Sequence, residues 1–181
     1  FLSADTDRVL IENLILEGNK NVSRNEILYI IRQRPPNFFF RRPEFDPRLL
    51  KLDAFTLENY YKSKGYLDAS VKESYKINGQ YADLLFEIDE GKQYFLSSIN
   101  IVGNNLVDYE EINKLLNMKV GQPYNPVAIN DNIYLLENQY HNIGKLFFSI
   151  SIQDIISDSV DVNIDISEGE DIYVKNTYFE Q

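Results

Sequence analysis

Few side chains in this sequence could carry out catalysis. The chain has no cysteine, which excludes thiol nucleophiles, disulfides and thiolate metal sites. Its single histidine, His141, falls near the end of a predicted helix, where a solvated or capping role is the common one. A hydrolytic triad therefore lacks the residues that it needs. We predict no catalytic residue, no cofactor and no enzyme activity.

Two acidic pairs, Glu110 with Glu111 and Asp158 with Asp161, could in principle hold a divalent cation. Neither pair has the spacing of a calcium-binding loop. A helix start and a hairpin turn account for acidic residues at these places, so we predict no metal site.

The segment Phe38, Phe39, Phe40, Arg41 and Arg42 has the composition of a binding surface. Three consecutive aromatic side chains cannot all face one core, and aromatic residues beside arginines are typical of interface hot spots. We predict a partner-binding insert here. The alternative is a loop that folds its phenylalanines back onto the first half of the chain. Nucleic-acid stacking is disfavoured by the net charge of -10, so we predict no nucleic-acid partner.

The composition is that of a folded chain, with 44% hydrophobic and 25% charged residues among 181. No apolar run approaches the roughly 20 residues of a membrane-spanning helix, and no basic-then-apolar leader is present, so we expect a soluble stretch. Charge is uneven: residues 1–93 carry a net charge of -1 and residues 94–181 a net charge of -9. This asymmetry indicates surfaces with different neighbours, or an acidic face kept for solubility.

An internal repeat organises the chain. The first half has a Gly-Asn turn after a short apolar strand, a long amphipathic helix that ends near a glycine, and alternating strands that close in Glu-Gly. The second half repeats this order 78 to 85 residues later, with about six fewer residues before the long helix. The matched pairs include Gly18 and Gly103, Leu57 and Leu136, Tyr61 and Tyr140, Ala82 and Val160, and Glu90 and Glu168.

Local signals place the same elements in each copy. Ser23 with Glu26, and Asp108 with Glu111, predict capping boxes that start a first helix. Asp46-Pro47 and Asn125-Pro126 predict the start of a second helix. Each buried face of that helix recurs at helical spacing: Leu50, Ala54, Leu57 and Tyr61 in one copy, Ile129, Ile133, Leu136 and Tyr140 in the other. Alternating strands around Asn78-Gly79 predict a hairpin.

The predicted fold class is α+β, with two tandem β-α-α-β-β modules. Each module is a three-stranded mixed sheet covered on one face by two helices. We place an N-terminal extension at 1–8, the first module at 9–92 and the second at 93–170. Residues 171–181 are predicted to be the first strand of a truncated third module.

This order of elements resembles the polypeptide-transport-associated (POTRA) domain. The second module matches in Gly121-Gln122-Pro123-Tyr124-Asn125 and in Tyr140 ahead of Ile143-Gly144. The first keeps Gly65-Tyr66-Leu67 but departs from the pattern between Arg34 and Pro43. The resemblance covers nearly the whole chain.

The resemblance implies the periplasmic arm of a BamA-like outer-membrane β-barrel assembly factor in a Gram-negative bacterium. The implied partners are unfolded outer-membrane protein precursors, accessory assembly proteins and a C-terminal membrane β-barrel of the same full-length chain. A TamA-like or two-partner secretion transporter is the alternative, and a small α/β ligand-binding or enzyme domain is a remote one.

In the POTRA arrangement the strand before the hairpin turn lies at the edge of the sheet, where it can pair with an added strand. This implies partner-binding residues Val71, Glu73 and Tyr75 in the first module. The corresponding prediction in the second is Ser149, Ser151 and Gln153. Lys72 and Lys76 are expected to protect the first edge and leave the second more receptive.

Overall fold

In the computed structural model the chain forms two compact units, which divide between Gln93 and Tyr94. The structure describes residues 8–37 and 42–170. The first unit contains β1 (Leu10–Glu17), α1 (Arg24–Ile30), α2 (Pro47–Ser63), β2 (Ser70–Asn78) and β3 (Tyr81–Asp89). The second contains β4 (Leu96–Val102), α3 (Tyr109–Leu115), α4 (Pro126–Asn142), β5 (Ser149–Ile156) and β6 (Val160–Ser167). The predicted α+β class and the β-α-α-β-β order are confirmed.

The helices begin where the sequence predicts. The Ser23 side chain accepts a hydrogen bond from the Glu26 N–H, and the Glu26 carboxylate accepts one from the Ser23 N–H. The two bonds form a capping box. This arrangement lowers the pKa of Glu26 to about 2, because its carboxylate accepts backbone and side-chain hydrogen bonds from Ser23. In the second unit Asp108 caps α3 in the same way, but the Glu111 carboxylate accepts a hydrogen bond from Gln139 Nε2 at 2.9 Å.

A buried carboxylate holds the end of α1 in place. Asp53 on α2 is 1% exposed, and it accepts hydrogen bonds from the backbone N–H groups of Arg32 and Gln33, both at 2.8 Å. These two groups lie just past the end of α1, where backbone donors need partners. Asp53 therefore ties the chain after α1 to α2, a role that no local pattern in the sequence indicates.

Both sheets have the same mixed topology. The strand orders are β1-β3-β2 and β4-β6-β5, so the last strand of each unit is central. The central strand pairs in parallel with the first strand and antiparallel with the second. A parallel neighbour requires a crossover, and the two helices supply it, which places them together over one face.

The core of each unit lies between that helix layer and the sheet. Apolar residues of the central strands are buried at every second position, which gives each sheet a helix-facing side and an open side. The predicted helix positions are buried, except that Ile133 is half-buried. Fully buried core side chains include Ile11, Ile27, Leu50, Leu57, Tyr61, Leu84 and Phe86 in the first unit, and Ile112, Leu116, Leu136, Tyr140, Val162 and Ile164 in the second.

Candidate functional site

The outer edge of the first strand of each unit is already partly occupied by the unit's own chain. In the first unit the Ile11 N–H donates to the Pro43 carbonyl at 2.8 Å, and the Phe45 N–H donates to the Val9 carbonyl at 2.8 Å. Further along, the Arg24 guanidinium donates to the Leu14 carbonyl at 3.0 Å. These bonds use part of the outer edge of β1, mainly near its start.

In the second unit, the turn before α4 forms hydrogen bonds with the outer edge of β4 near its start. The Gly121 N–H donates to the Leu96 carbonyl at 2.8 Å, and the Leu96 N–H donates to the Gln122 carbonyl at 2.9 Å. The Tyr124 N–H donates to the Tyr94 carbonyl at 2.9 Å. Within residues 8–37 and 42–170, β2 and β5 are the edge strands whose outer sides form no backbone hydrogen bond with another segment.

Hydrogen-bond alternation shows which groups of β2 face outward. The Leu10 N–H donates to the Gln80 carbonyl at 2.8 Å, so the even-numbered residues of β3 face β1 and its odd-numbered residues face β2. In the β2–β3 register, the residues of β2 that bond to β3 are then Ser70, Lys72, Ser74, Lys76 and Asn78. The main-chain groups that point away from the sheet belong to Val71, Glu73, Tyr75 and Ile77.

The same reasoning applies to β5. The Val160 N–H donates to the Phe95 carbonyl at 2.9 Å, so the even-numbered residues of β6 face β4. The β5–β6 register then leaves the outward main-chain groups on Ile150, Ile152, Asp154 and Ile156. We call these four residues and their counterparts on β2 the outward-facing positions.

The six predicted edge residues all lie on β2 or β5, but in different orientations. Val71, Glu73 and Tyr75 hold outward-facing positions. Ser149, Ser151 and Gln153 direct their main-chain groups toward β6, and their side chains are exposed on the open side of the sheet. The sequence carried the signal for the outward set, because the repeat aligns Val71 with Ile150.

At one outward-facing position of β2 the side chain packs against Phe45, which lies two residues before α2. Val71 is buried at the helix-facing side, Glu73 is half-buried and Tyr75 is 49% exposed. The Tyr75 ring contacts the ring of Phe45, with centroids 4.7 Å apart. The centre of this edge therefore combines the Tyr75 ring with the Glu73 carboxylate, and Lys72 and Lys76 lie on the open side of the sheet.

The equivalent contact in the second unit is polar. Tyr124, which lies two residues before α4, is 2% exposed and lies close to the Asp154 carboxylate on β5. Burial raises the pKa of Tyr124, and the nearby Asp154 carboxylate raises it further because a negative charge disfavours the phenolate. The two edges thus differ in charge at matching positions.

A second repeated feature is a carboxylate clamp, in which the glutamate after the central strand binds the loop after the first strand. Glu90 is 5% exposed and accepts hydrogen bonds from the backbone N–H groups of Lys20 and Asn21 at 2.8 and 2.9 Å. It also accepts bonds from the Asn21 amide and the Tyr61 hydroxyl. Burial alone would raise the pKa of Glu90, but these hydrogen bonds outweigh it and leave the pKa lowered.

In the second unit Glu168 has the same role with fewer partners. It accepts hydrogen bonds from the Leu106 N–H at 2.8 Å, the Asn105 amide and the Tyr140 hydroxyl. The pKa of Glu168 is again lowered, because the hydrogen bonds exceed the opposing effect of burial. The repeat pairs Glu90 with Glu168 and Tyr61 with Tyr140 in the sequence, but it does not indicate that each glutamate contacts the tyrosine of its unit.

The predicted insert is described only at its end. Phe38 to Arg41 lie outside the described residues, as do 1–7 and the predicted third-module strand at 171–181. Arg42 contacts its own unit: its guanidinium lies 3.0 Å from Glu12 Oε1 and 4.7 Å from the centroid of the Tyr81 ring. The described end of the insert is therefore attached to the sheet of the first unit.

Besides Glu111, two of the residues considered for chemistry contact other side chains. His141 lies against the ring of Phe148 at 5.0 Å, and Asp161 accepts hydrogen bonds from the hydroxyls of Ser97 and Ser98. In the described part of the chain, no three His, Asp or Glu residues are grouped so as to hold a metal ion. No helix there is long and apolar enough to cross a bilayer.

Comparison with protein families gives two matches to one family. The family described as "POTRA: Surface antigen variable number repeat" matches residues 9–91 and again residues 94–169. Among curated proteins, a putative outer membrane protein assembly factor of Treponema pallidum is 24% identical over 151 residues, which covers 80% of this chain and 18% of that protein. The outer membrane protein assembly factor BamA of Buchnera aphidicola is 23% identical over 185 residues, covering 94% of this chain and 29% of that protein.

Solved structures show the same fold. POTRA domains 3–5 of Haemophilus influenzae BamA align with a TM-score of 0.64 at 17% identity, covering 92% of this chain and 70% of that one. Haemophilus ducreyi BamA lacking POTRA domains 1–3 aligns with a TM-score of 0.62 at 17% identity, covering 90% of this chain and 29% of that one. The chain spans less than a third of the curated relatives that it matches.

Proposed function

Because this chain belongs to the POTRA family and carries two of its repeats in tandem, we propose that it is part of the periplasmic arm of a BamA-like outer-membrane protein assembly factor. In this role it binds unfolded β-barrel precursors and accessory assembly proteins by strand addition, ahead of a membrane β-barrel in the same full-length chain. The observation that carries the proposal is the pair of open edges on β2 and β5.

Main-chain pairing suits a receptor for many barrel precursors. An added strand bonds to backbone groups that every sequence possesses, and only its alternate side chains contact the receptor. The outward-facing positions of β2 and β5 supply those groups, whereas β1 and β4 are partly covered by their own units. We further propose that 171–181 open a third module, which would extend the arm with another sheet.

Photo-crosslinking tests strand addition directly. Crosslinkers at Ser149, Ser151 and Gln153 of the full-length protein lie on the open side of β5, beside the position of an added strand. We expect adducts with barrel precursors or accessory subunits at these sites, and few at exposed Glu137 on α4. Adducts on the helices and none along β5 would contradict strand addition.

A matched pair of variants separates main-chain pairing from side-chain contact. The Ile152 N–H points away from β6, so Ile152→Pro removes a donor for an added strand without removing a bond from the sheet. Ile152→Ala removes the same side chain and keeps that donor. We expect crosslinking to fall strongly in Ile152→Pro and weakly in Ile152→Ala. Equal losses would mean that the side chain matters and the main chain does not.

The aromatic insert is proposed as a second contact surface. Replacing Phe38, Phe39 and Phe40 together with serine is expected to weaken binding to a neighbouring module, an accessory protein or a lipid surface, because large apolar side chains dominate such contacts. Thermal unfolding by circular dichroism provides the control. If the triple variant unfolds at a much lower temperature, the phenylalanines belong to the core of the first unit.

A further inference from the structure

Asp154 places a charge at the centre of an otherwise apolar row. The outward-facing positions of β5 are Ile150, Ile152, Asp154 and Ile156, and their side chains lie on the helix-facing side of the sheet. Asp154 is exposed, with an isoleucine at the next such position on either side. An acidic residue has low β-propensity and buries no apolar surface here, so Asp154 either protects the edge from pairing or takes part in it.

A buried tyrosine lies close to this carboxylate. Tyr124 is 2% exposed, and the nearby Asp154 carboxylate contributes to its raised pKa. Asp154 itself is exposed, and a carboxylate has about four acceptor positions. Acceptor capacity is therefore available to a donor that arrives along the open edge.

The surroundings of Asp154 favour a cation. The other positions of β5 along this edge, on both sides of the sheet, are uncharged: Ser149, Ile150, Ser151, Ile152, Gln153, Ile155 and Ile156. Residues 94–181 have 4 basic and 13 acidic side chains, so the field around the unit is negative. The matching position on β2 is Tyr75, and the carboxylate of that row, Glu73, lies one outward-facing position earlier, with Lys72 and Lys76 on the open side.

We propose that Asp154 makes the edge of β5 selective for extended segments that carry a lysine or arginine between apolar residues on their helix-facing side. The cation lies opposite Asp154, and the apolar residues lie beside Ile152 and Ile156. This inference rests on the proposed strand addition and adds the register in which the segment pairs with β5. The edge of β2 has Tyr75 at the same place and Glu73 one outward-facing position earlier, so it does not favour a cation in this register.

The size of the preference follows from cross-strand pairing. Residues directly opposite each other on neighbouring strands have Cβ atoms about 4.5–5.5 Å apart, and an opposite-charge pair there strengthens binding by about 1.4- to 5-fold. A like-charge pair weakens it by a similar factor. Exchanging a lysine for a glutamate in the bound segment therefore changes affinity by about 2- to 30-fold.

Short peptides test the inference on the 181-residue chain. The parent peptide alternates valine with threonine and has lysine in place of the central valine. A second peptide has glutamate there, and a third has the lysine moved by one residue to the other side of the strand. Amide chemical-shift changes along β5 measure each affinity. We expect the parent to bind about 2- to 30-fold more tightly than the glutamate peptide, and also more tightly than the shifted-lysine peptide.

Two variants identify the carboxylate as the source of the preference. Asp154→Asn keeps the shape of the side chain and removes the charge, so it should abolish the preference while the fold is retained. Glu137→Gln removes a charge of the same sign from the exposed surface of α4 and should leave the preference unchanged. Equal loss in both variants would attribute the preference to the overall field and overturn the inference.

The outcomes for the two proposals are distinct. If no peptide changes the β5 amides, strand addition at this edge is wrong. If the parent, glutamate and shifted-lysine peptides all bind β5 with equal affinity, strand addition stands and the role of Asp154 is refuted.

Discussion

Gly103→Ala is expected to destabilise the second unit by at least about 3 kcal/mol. Gly103 follows β4 with φ at +81°, a backbone conformation that disfavours any side chain. A Cβ atom there would lie 1.9 Å from the Ile166 carbonyl oxygen of the central strand. Because the obstructing atom is backbone, relief requires β4 and β6 to separate. Hydrogen exchange of β6 amides measures the loss in this unit alone.

Gly121→Ala is the matched control for that prediction. Gly121 has φ at +83° in the same unit, and an added Cβ would meet nothing within 4 Å. It therefore carries the same conformational strain, about 1–2 kcal/mol, without the steric overlap. Equal losses in the two variants would show that conformation alone requires glycine at 103. Gly18→Ala tests the first unit, where the added Cβ would lie 1.9 Å from the Ile88 carbonyl oxygen.

Glu90→Gln is expected to lower the free energy of unfolding of the first unit by about 2–4 kcal/mol. The carboxylate accepts bonds from the Lys20 and Asn21 N–H groups and from the Tyr61 hydroxyl. Glutamine removes the charge and places an amide donor among these donors. Glu87→Gln on β3 removes the same charge from an exposed position, so it should cost less than about 0.5 kcal/mol. Urea unfolding of the two variants gives the comparison.

The effect of Glu90→Gln depends on pH in a defined direction. The pKa of Glu90 is lower in the folded state than its ordinary value, so ionised Glu90 stabilises the fold above that ordinary value, near 4.3. This stabilisation is lost as the pH falls through the folded pKa. The difference between the wild type and the variant should therefore shrink below about pH 4. A constant difference between pH 7 and pH 3 would contradict the clamp.

The carboxylate clamp and the open edge have different roles in each unit. Glu90 and Glu168 fasten the loop after the first strand to the end of the central strand, so the sheet is fixed on that side. The second strand stays open along its outer side. Under the proposed function, a rigid sheet presents an ordered row of main-chain groups, which lowers the entropic cost of adding a flexible strand.

The sequence alone was sufficient for the repeat, the element order and the helix starts. Caps such as Ser23 and Asp46 accept hydrogen bonds from backbone N–H groups two or three residues away, so a few consecutive residues suffice to predict where a helix begins. The buried faces of the long helices follow from spacings of three and four residues. The alternation of apolar and polar residues on β3 and β6 likewise predicts that one side of each sheet is exposed to solvent. All of these depend on neighbours close along the chain.

The contacts of the candidate site were decided by the tertiary structure. Glu90 accepts a hydrogen bond from the Lys20 N–H, 70 residues away in the sequence, and the buried Tyr124 lies close to Asp154 at the sheet edge. The prediction for the second edge named Ser149, Ser151 and Gln153, but the hydrogen-bond alternation places the outward groups one residue along. Periodicity distinguishes the two sides of a strand without showing which of its main-chain groups already have partners.

The openness of an edge is likewise a property of the assembled sheet. β1 and β2 have similar length and both lie at edges, yet Pro43 and Phe45 bond to the outer side of β1. That difference arises because the chain entering α2 passes beside the first strand once the helices pack on the sheet. Local sequence encodes the strands; long-range packing, which brings distant backbone groups into hydrogen-bonding distance, determines which edge remains free to bind.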